Sequence, residues 1–230
     1  MKKLTPFELF VKYMMLFIPL TLLFCGLYFA YYKMSLHNKI TKTQEDIEFI
    51  THNINDAFQG TLKNFNTQTA ATSGVLPFDI ETKQTSVGYQ IPNRFGGYML
   101  FYEAVNTKVE RTLYFSLYKD VKRYKEVYPG VGAYVILFTN LSKNECRALA
   151  QTDWSNRYAT YMGMEASYVT PTSQYNGLYN LQVHILKDNR GEDFNTKDEG
   201  IVSRSWLNKD SAQMACKCKQ RNCLFALKFS

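Results

Sequence analysis

The feature that most constrains this chain is a run of twenty uncharged, mostly apolar residues from Tyr13 to Tyr32, YMMLFIPLTLLFCGLYFAYY. Twenty helical residues cover about 30 Å, which is the thickness of the hydrocarbon region of a bilayer. A cleaved secretory signal would be shorter and would end in small residues, whereas this run ends in Tyr31, Tyr32 and Lys33. We therefore predict one transmembrane helix over residues 13–32, after a short leader over residues 1–12. We expect this leader to be cytoplasmic, although three lysines flank each end of the helix and the positive-inside rule leaves the orientation open.

The basic charge of the chain is concentrated around this helix. The formal net charge is +7, and residues 1–44 contribute six lysines against one acidic residue, Glu8. The remaining residues are almost neutral overall. Binding to nucleic acid requires Lys and Arg gathered on one face or groove. The distribution therefore argues against a nucleic-acid partner and favours membrane lipid.

After the apolar run, periodic apolar residues indicate an amphipathic continuation of the helix over residues 33–66. They recur at intervals of three, four and seven, at Ile40, Ile47, Ile50, Ile54, Ala57, Phe58, Leu62 and Phe65. Because no proline lies between Tyr32 and Ile40, we expect one helix from near residue 5 to near residue 66, about 90 Å long. The alternative is two helices joined near residues 35–38.

Residues 67–230 are predicted to form an extracytoplasmic domain with both helices and strands. Five aromatic or β-branched runs predict strands, over residues 95–104, 111–117, 133–139, 180–186 and 223–229. A capping-box spacing from Ser142 to Glu145 predicts one helix, and a second short helix is expected over residues 210–216. Three segments lack a strand pattern: a connection at 66–88, a charged helix or loop at 118–128, and a polar loop at 188–200.

Four of the five cysteines lie outside the apolar run, which indicates two disulfide bonds and an oxidising compartment. Cys218 and Cys223 enclose four polar residues, a hairpin-sized loop that can bring their side chains within bridging distance. Cys146 and Cys216 would then close a long loop. The exchange of Cys216 with Cys218 stays open. A zinc site formed by the C-terminal cysteines with His184 is a further alternative, although the spacing matches no common tetrahedral module.

The start of the chain resembles type IV pilins. Residues 4–9, LTPFEL, are similar to the FTLIEL-type start of that family, with Thr5, Glu8 and Leu9 matching in place. The resemblance implies that Glu8 pairs with the amino end of a neighbouring subunit during assembly. The alternative for Glu8 is a plain interfacial glutamate near the flanking lysines.

The distal domain resembles the PilS-like type IVb pilins more closely. The similar segments are NRFGG at 93–97, FTNLSKNECRALAQTDW at 138–154, and AQMAC followed by LFALKF at 212–229. The resemblance implies an α+β, type IV pilin-like fold, in which the long N-terminal helix packs on a small, mainly antiparallel sheet with a C-terminal disulfide loop. Cys146 and Cys216 map onto the family's disulfide pair, whereas Cys218 and Cys223 have no clear counterpart.

The candidate processing junction departs from the family pattern. Prepilins of this group have glycine immediately before the peptidase cut, whereas here Lys3 precedes Leu4. The departure leaves two alternatives, a processed pilin-like protein and an uncleaved protein that stays in the membrane.

Motifs for catalysis are absent from the sequence. It contains no P-loop, no G-x-G-x-x-G and no H-E-x-x-H pattern. The three histidines, His37, His52 and His184, stand in no recognisable arrangement with a nucleophile. We expect no enzymatic activity, no cofactor and no bound metal ion.

The sequence thus predicts a pilin-like structural subunit, major or minor, of a type IVb-type pilus or a related secretion filament. Its expected partners are identical or related pilin subunits, the inner-membrane pilus assembly platform and membrane lipid. The expected location is the bacterial inner membrane, as a single-pass protein with an extracytoplasmic C-terminal domain, and also a surface pilus with a role in cell adhesion. The alternative is an uncleaved envelope protein whose distal domain binds a ligand or a partner complex.

Overall fold

A computed structural model describes most of the chain, namely residues 6–59, 62, 65–86, 88–104, 108–109, 112–114, 133–168, 187–188, 194–196, 200–203, 206–218 and 221–230. The chain divides into two compact units, Met1–Thr41 and Lys42–Ser230. The fold class is α+β, with a long apolar N-terminal helix, an antiparallel sheet and C-terminal disulfide bonds.

The N-terminal helix α1 runs without interruption over Pro6–Phe58, for 53 residues. The structure therefore has one helix here, and not two helices joined near residues 35–38. The predicted end near residue 66 is wrong, because Gln59 adopts a left-handed backbone conformation with a φ of 45°. Leu62 and Phe65 lie beyond the helix but are still buried, whereas Ala57 is exposed and does not belong to the buried stripe.

The segment expected to be a connection contains regular structure. Helix α2 spans Thr67–Thr72, and the side chain of Asn66 accepts a hydrogen bond from the backbone N–H of Thr69 at its N-terminus. Two strands follow, β1 over Lys83–Thr85 and β2 over Gly88–Pro92. The prediction for residues 66–88 is therefore wrong, because a local N-cap and strand pairing compensate for a composition rich in turn-forming residues.

Eleven strands are described, in two antiparallel sheets. After β1 and β2 they are β3 Tyr98–Ala104, β4 Lys108–Val109, β5 Thr112–Tyr114, β6 Ala133–Leu141, β7 Tyr161–Tyr168, β8 Lys187–Asp188, β9 Phe194–Thr196, β10 Gly200–Ser203 and β11 Cys223–Phe229. The larger sheet has the order β1-β2-β3-β6-β11-β7-β10-β9, and the smaller has the order β4-β5-β8. The last strand thus lies in the middle of the larger sheet, where all seven of its residues are buried.

Three of the predicted strands agree closely with the structure. The run 223–229 coincides with β11, the run 133–139 lies inside β6, and the run 95–104 contains β3 after an initial turn. The run 111–117 contains β5, and its other residues lie outside the described part of the chain. The predicted strand at 180–186 and the charged segment at 118–128 also lie outside it. Strand β7 was not predicted, and the polar loop at 188–200 includes β9.

Two short helices lie where the sequence indicates them. Helix α3 spans Lys143–Ala150, with both bonds of the predicted capping box present between Ser142 and Glu145. Helix α4 spans Lys209–Ala215, within one residue of the predicted range. Each helix ends in or contains a cysteine, so the two helices hold the predicted disulfide residues at fixed positions.

The second part of α1 packs within the unit formed by residues 42–230. Its side chains Ile47, Ile50 and Ile54 are almost completely buried. Beyond the helix, the Phe65 ring contacts the rings of Phe58, Phe101 and Tyr134, with centroid distances of 5.2, 6.0 and 5.9 Å. These edge-on contacts join the helix end to strands β3 and β6.

Candidate functional site

The first part of α1 exposes nearly all of its apolar side chains. Large apolar residues described between Phe7 and Met34 are 38% to 74% exposed, and Phe24 is 61% exposed. This helix is long and apolar enough to cross a membrane, with a mean hydropathy of 1.9 over a window that has no buried residue. An exposed apolar surface of this size is typical of contact with a membrane or with another protein.

The second part of α1 carries a buried acidic residue among its apolar ones. Asp46 is only 4% exposed, although it lies between Thr43 and Ile47 on a helix with a polar outer face. A buried carboxylate is costly unless it has a charged and hydrogen-bonded partner. The partner therefore shows how the helix is fixed to the rest of the unit.

That partner is Arg94, which lies in the turn between β2 and β3. Its Nε and Nη2 atoms donate to the two carboxylate oxygens of Asp46 at 2.6 and 2.7 Å, and Nη2 also donates to Asp79 at 2.8 Å. The hydrogen bond from Arg94 lowers the pKa of the Asp79 carboxyl. Bonding to Asp46 raises the pKa of Arg94, so its charge persists at any ordinary pH. Two-point bonding of this kind fixes both distance and orientation.

The backbone around Arg94 is held by Asn93. Its side-chain oxygen accepts hydrogen bonds from the backbone N–H groups of Phe95 and Gly97, both at 2.9 Å. Its side-chain nitrogen donates to the carbonyl oxygens of Tyr98 and Thr139, at 3.2 and 3.0 Å. All the usual hydrogen-bonding capacity of a buried Asn is thus used.

Gly97 permits this turn to lie against strand β6. A Cβ atom added at Gly97 would lie 2.0 Å from the carbonyl oxygen of Thr139, so no larger residue fits without a shift of the backbone. Gly96 has a φ of +83° and open space around it, so its requirement is conformational. The motif NRFGG, which we call the 93–97 turn, is therefore a structural element that joins α1 to the sheet.

The same turn contacts the disulfide-bonded C-terminal region. Arg221 donates a hydrogen bond to the carbonyl oxygen of Phe95 and forms an ion pair with Glu145, at 3.0 Å between Nη2 and Oε2. Glu145 also accepts from the backbone N–H of Ser142 at 2.8 Å as part of the capping box. One arginine thus links the turn, the start of α3 and the loop before β11.

Two disulfide bonds lie at this end of the sheet. Cys146 in α3 is bonded to Cys216 at the end of α4, with a Cα–Cα distance of 5.9 Å, and Cys218 is bonded to Cys223 with a Cα–Cα distance of 5.3 Å. The sulfur atoms of Cys146, Cys216 and Cys223 lie within 4.8 Å of one another. In this bonded form they offer no thiolate to a metal ion, so the geometry does not favour the zinc alternative.

The surface next to the disulfides exposes two large apolar side chains. Trp206, immediately before α4, is 54% exposed, and Met214 within α4 is 42% exposed. Lys217 and Arg221 are exposed on the same segment. Exposed tryptophan and methionine are common where proteins contact one another. We call the four exposed residues Trp206, Met214, Lys217 and Arg221 the C-terminal surface.

Several predicted site residues fall where little can be described. Lys3, Leu4 and His184 lie outside the described part of the chain, and Glu8 lies within α1 without a described side chain. His37 is exposed on α1, and His52 lies 3.0 Å from Asp56 and against the ring of Tyr158.

The Asp46–Arg94 pair is the contact that the sequence reasoning did not predict. The available signals were an acidic residue next to the apolar position Ile47 on the helix and an arginine within a turn motif. Neither signal specifies its partner, because the two residues are 48 positions apart in the chain.

Compared with protein-family models, with curated proteins and with solved structures, the chain shows no match.

Proposed function

We propose that this chain is a pilin-like structural subunit, major or minor, of a type IVb-type pilus or a related secretion filament. The observation that carries the proposal is the division of α1 into two parts. One part exposes apolar side chains on all sides, and the other has a buried stripe fixed to a globular unit by Arg94. A subunit that is stored in a membrane and then packs helix against helix requires this division.

The physical basis of assembly is the exchange of lipid contacts for contacts between helices. A helix such as α1 buries its apolar surface equally well in hydrocarbon and against identical helices, so its transfer between them needs little net free energy. Contacts of a head-to-tail kind do not close into a ring and can therefore extend into a filament. In this proposal Glu8 pairs with the amino end of the next subunit, which neutralises a charge within the apolar layer.

The globular unit supplies the outer surface of such a filament. Its two disulfide bonds are consistent with an extracytoplasmic location, because disulfides persist in oxidising compartments. The C-terminal surface is available for contact with other subunits or with another surface. In the bacterial inner membrane the subunit is single-pass, and it interacts there with lipid and with the assembly platform. We infer a structural role without catalysis, cofactor or nucleic acid.

A second candidate is an uncleaved envelope protein whose distal domain binds a ligand or a partner complex. The observation that favours it is Lys3 before Leu4, at a position where the resembling prepilins have glycine. In this alternative Glu8 is an interfacial residue, and α1 remains permanently in the membrane.

The two candidates differ in where the protein is found and in its N-terminal mass. We would express the full chain in a bacterium with a type IVb assembly system, shear the cells, and measure intact masses in the sheared and membrane fractions. The proposal predicts that the chain is present in the sheared fraction. Its intact mass there shows whether the Lys3–Leu4 bond has been cut. A Glu8→Ala variant should remain in the membrane and leave the sheared fraction, whereas Glu45→Ala, an exposed control in the same helix, should not.

An uncut protein that is restricted to the membrane fraction, with Glu8→Ala indistinguishable from the unaltered chain, would contradict the filament proposal and support the anchored alternative.

A further inference from the structure

The larger sheet contains a cleft where strand β2 separates from strand β3. The two strands pair only through Ile91 with Met99 and Pro92 with Tyr98. The rest of β2 pairs with β1 on its other side, with Tyr89 opposite Gln84. A half-open cavity of about 330 Å³ occupies the space between the separated strands and the start of α2.

Where β2 separates from it, the edge of β3 already forms hydrogen bonds with other parts of the chain. The backbone N–H of Glu103 donates to the carbonyl of Phe65 at 2.8 Å, and the N–H of Phe101 donates to the Thr67 hydroxyl at 2.9 Å. An isolated bridge joins Asn66 to Tyr102. Because these groups are paired, an extended peptide cannot add to β3 as a further strand.

The cavity has no charged lining. Its residues are Asn66, Thr67, Gln68, Thr85, Gly88, Tyr89, Gln90, Leu100, Phe101 and Tyr102. The lining contains no Asp, Glu, Lys, Arg or His residue. A phosphate, a carboxylate or an ammonium group would enter without a charged partner, so the lining disfavours ionic ligands.

Some polar groups of the lining hold the cavity in shape. The Thr67 hydroxyl bonds to the backbone of Phe101, the Asn66 side chain caps α2, and the Thr85 hydroxyl donates to the carbonyl of Gly88 at 2.7 Å. These three side chains fix the floor and the β1–β2 turn. They are structural and are not assigned a ligand.

Other polar groups of the lining are available to a ligand. Among the described residues, the side chains of Gln68, Tyr89 and Gln90 have no hydrogen-bond partner. Tyr89 and Gln90 are half-buried, and Gln68 is exposed at the rim. Because Gln90 follows Tyr89 directly in β2, the two side chains point to opposite faces of the strand, and Gln90 is not counted as a ligand contact. The Gln68 amide supplies donors and an acceptor, and Tyr89 supplies a flat apolar face with a hydroxyl at its edge.

We propose that this cleft binds a neutral saccharide of one or two hexose units. A sugar ring has an apolar C–H face that packs on an aromatic ring, and hydroxyl groups that both donate and accept hydrogen bonds. The Tyr89 ring and the Gln68 amide match these two properties, and the absence of charged residues in the lining matches a neutral ligand. The volume lies at the small end of the range of ligand pockets, which limits the ligand to one or two rings. The site is independent of the filament proposal.

The test uses the full chain in phosphocholine micelles, since a glycoside detergent would itself supply a sugar. Saturation-transfer NMR is recorded with a mixture of methyl glucoside, methyl galactoside, methyl mannoside and methyl N-acetylglucosaminide, each at millimolar concentration. We expect saturation of at least one of these glycosides and none of glucuronate. Tyr89→Ala should raise the dissociation constant about tenfold, the effect of losing one good contact.

The matched control is Gln213→Ala, which removes the same kind of side chain from an exposed position of helix α4 outside the lining. It should leave binding unchanged. Gln68→Ala, on the exposed surface of α2, is a second binding-site variant with little risk to folding. It should also weaken glycoside binding.

Three results would overturn the proposal: no saturation of any neutral glycoside, equal saturation of glucuronate, or binding that neither Tyr89→Ala nor Gln68→Ala weakens.

Discussion

At the scale of single residues, the 93–97 turn determines how the long helix is fixed to the sheet. Asn93 satisfies the turn backbone, Arg94 neutralises the buried Asp46, and Gly97 allows close contact with Thr139. Each side chain has a separate physical task, so substitutions in this turn should have effects of different size.

The first prediction compares the two glycines of the turn. Gly97→Ala places a Cβ atom 2.0 Å from a backbone oxygen, which forces the turn away from β6. We expect it to lower the free energy of unfolding by about 3 kcal/mol or more. Gly96→Ala meets no atom and should cost only about 1–2 kcal/mol for its left-handed conformation. Chemical denaturation of both variants in micelles measures the difference, and equal losses would disprove the close contact.

The second prediction concerns the buried ion pair. Arg94→Ala leaves the Asp46 carboxylate buried without its charged partner, so we expect a loss of about 3–5 kcal/mol in the free energy of unfolding. Asp79→Asn is the matched control, because the Asp79 side chain is 54% exposed and contacts the same arginine. An exposed pair contributes little to stability, so we expect Asp79→Asn to unfold much like the unaltered chain. If Asp79→Asn lowered the free energy of unfolding more than Arg94→Ala, Asp46 would not be the main partner of Arg94.

The third prediction follows from the buried Lys228 in the central strand β11. Burial lowers the pKa of Lys228 from 10.5 to about 8, so between these values the unfolded chain binds more protons than the folded chain. Stability therefore rises with pH over this interval, and it should rise by about 2 kcal/mol relative to Lys228→Met between about pH 8 and pH 10.

The measurement is denaturation as a function of pH in both proteins, each carrying Cys25→Ser to remove the free thiol. Parallel pH profiles for the two proteins would show that Lys228 does not titrate in this interval.

At the scale of elements, the two disulfides should differ in their contribution to stability. Cys146–Cys216 joins residues 70 positions apart, and Cys218–Cys223 joins residues 5 positions apart. Because the longer loop loses more chain entropy, replacing the first pair by Ser should cost about 4 kcal/mol and replacing the second about 2 kcal/mol. Thermal or chemical unfolding of the two double variants tests this order, and the reverse order would count against it.

The elements that could be predicted are those specified by neighbouring residues. The Ser142–Glu145 capping box defines the start of α3, and the dense apolar run of β11 marks a buried strand. The elements that could not be predicted depend on distant partners. Strands β1 and β2 have turn-rich sequences and exist because they pair with each other and with β3. The end of α1 depended on a single residue, Gln59, whose conformation has no signature in the periodic pattern.

At the scale of the whole molecule, sequence patterns indicate the two units but not the sheet order. The apolar run and the periodic stripe predict a membrane part and a packed part of one helix. The insertion of β11 between β6 and β7 could not be predicted, because pairing partners are set by non-local contacts. For the same reason, the sequence around Asp46 did not identify Arg94 as its partner. No sequence pattern indicated the cleft between β2 and β3.

The central claim is that the exposed part of α1 packs against the same helix of other copies. The most direct measurement replaces Phe24, which is 61% exposed on this helix, with a photoreactive phenylalanine analogue and irradiates sheared filaments. The same analogue at Phe78, exposed on the globular unit, is the matched control. The account predicts adducts of two copies joined through the Phe24 position, and many fewer from Phe78. If the same amount of irradiated protein gave adducts of the Phe24 probe with lipid only, and none with a second copy, the result would contradict the central claim.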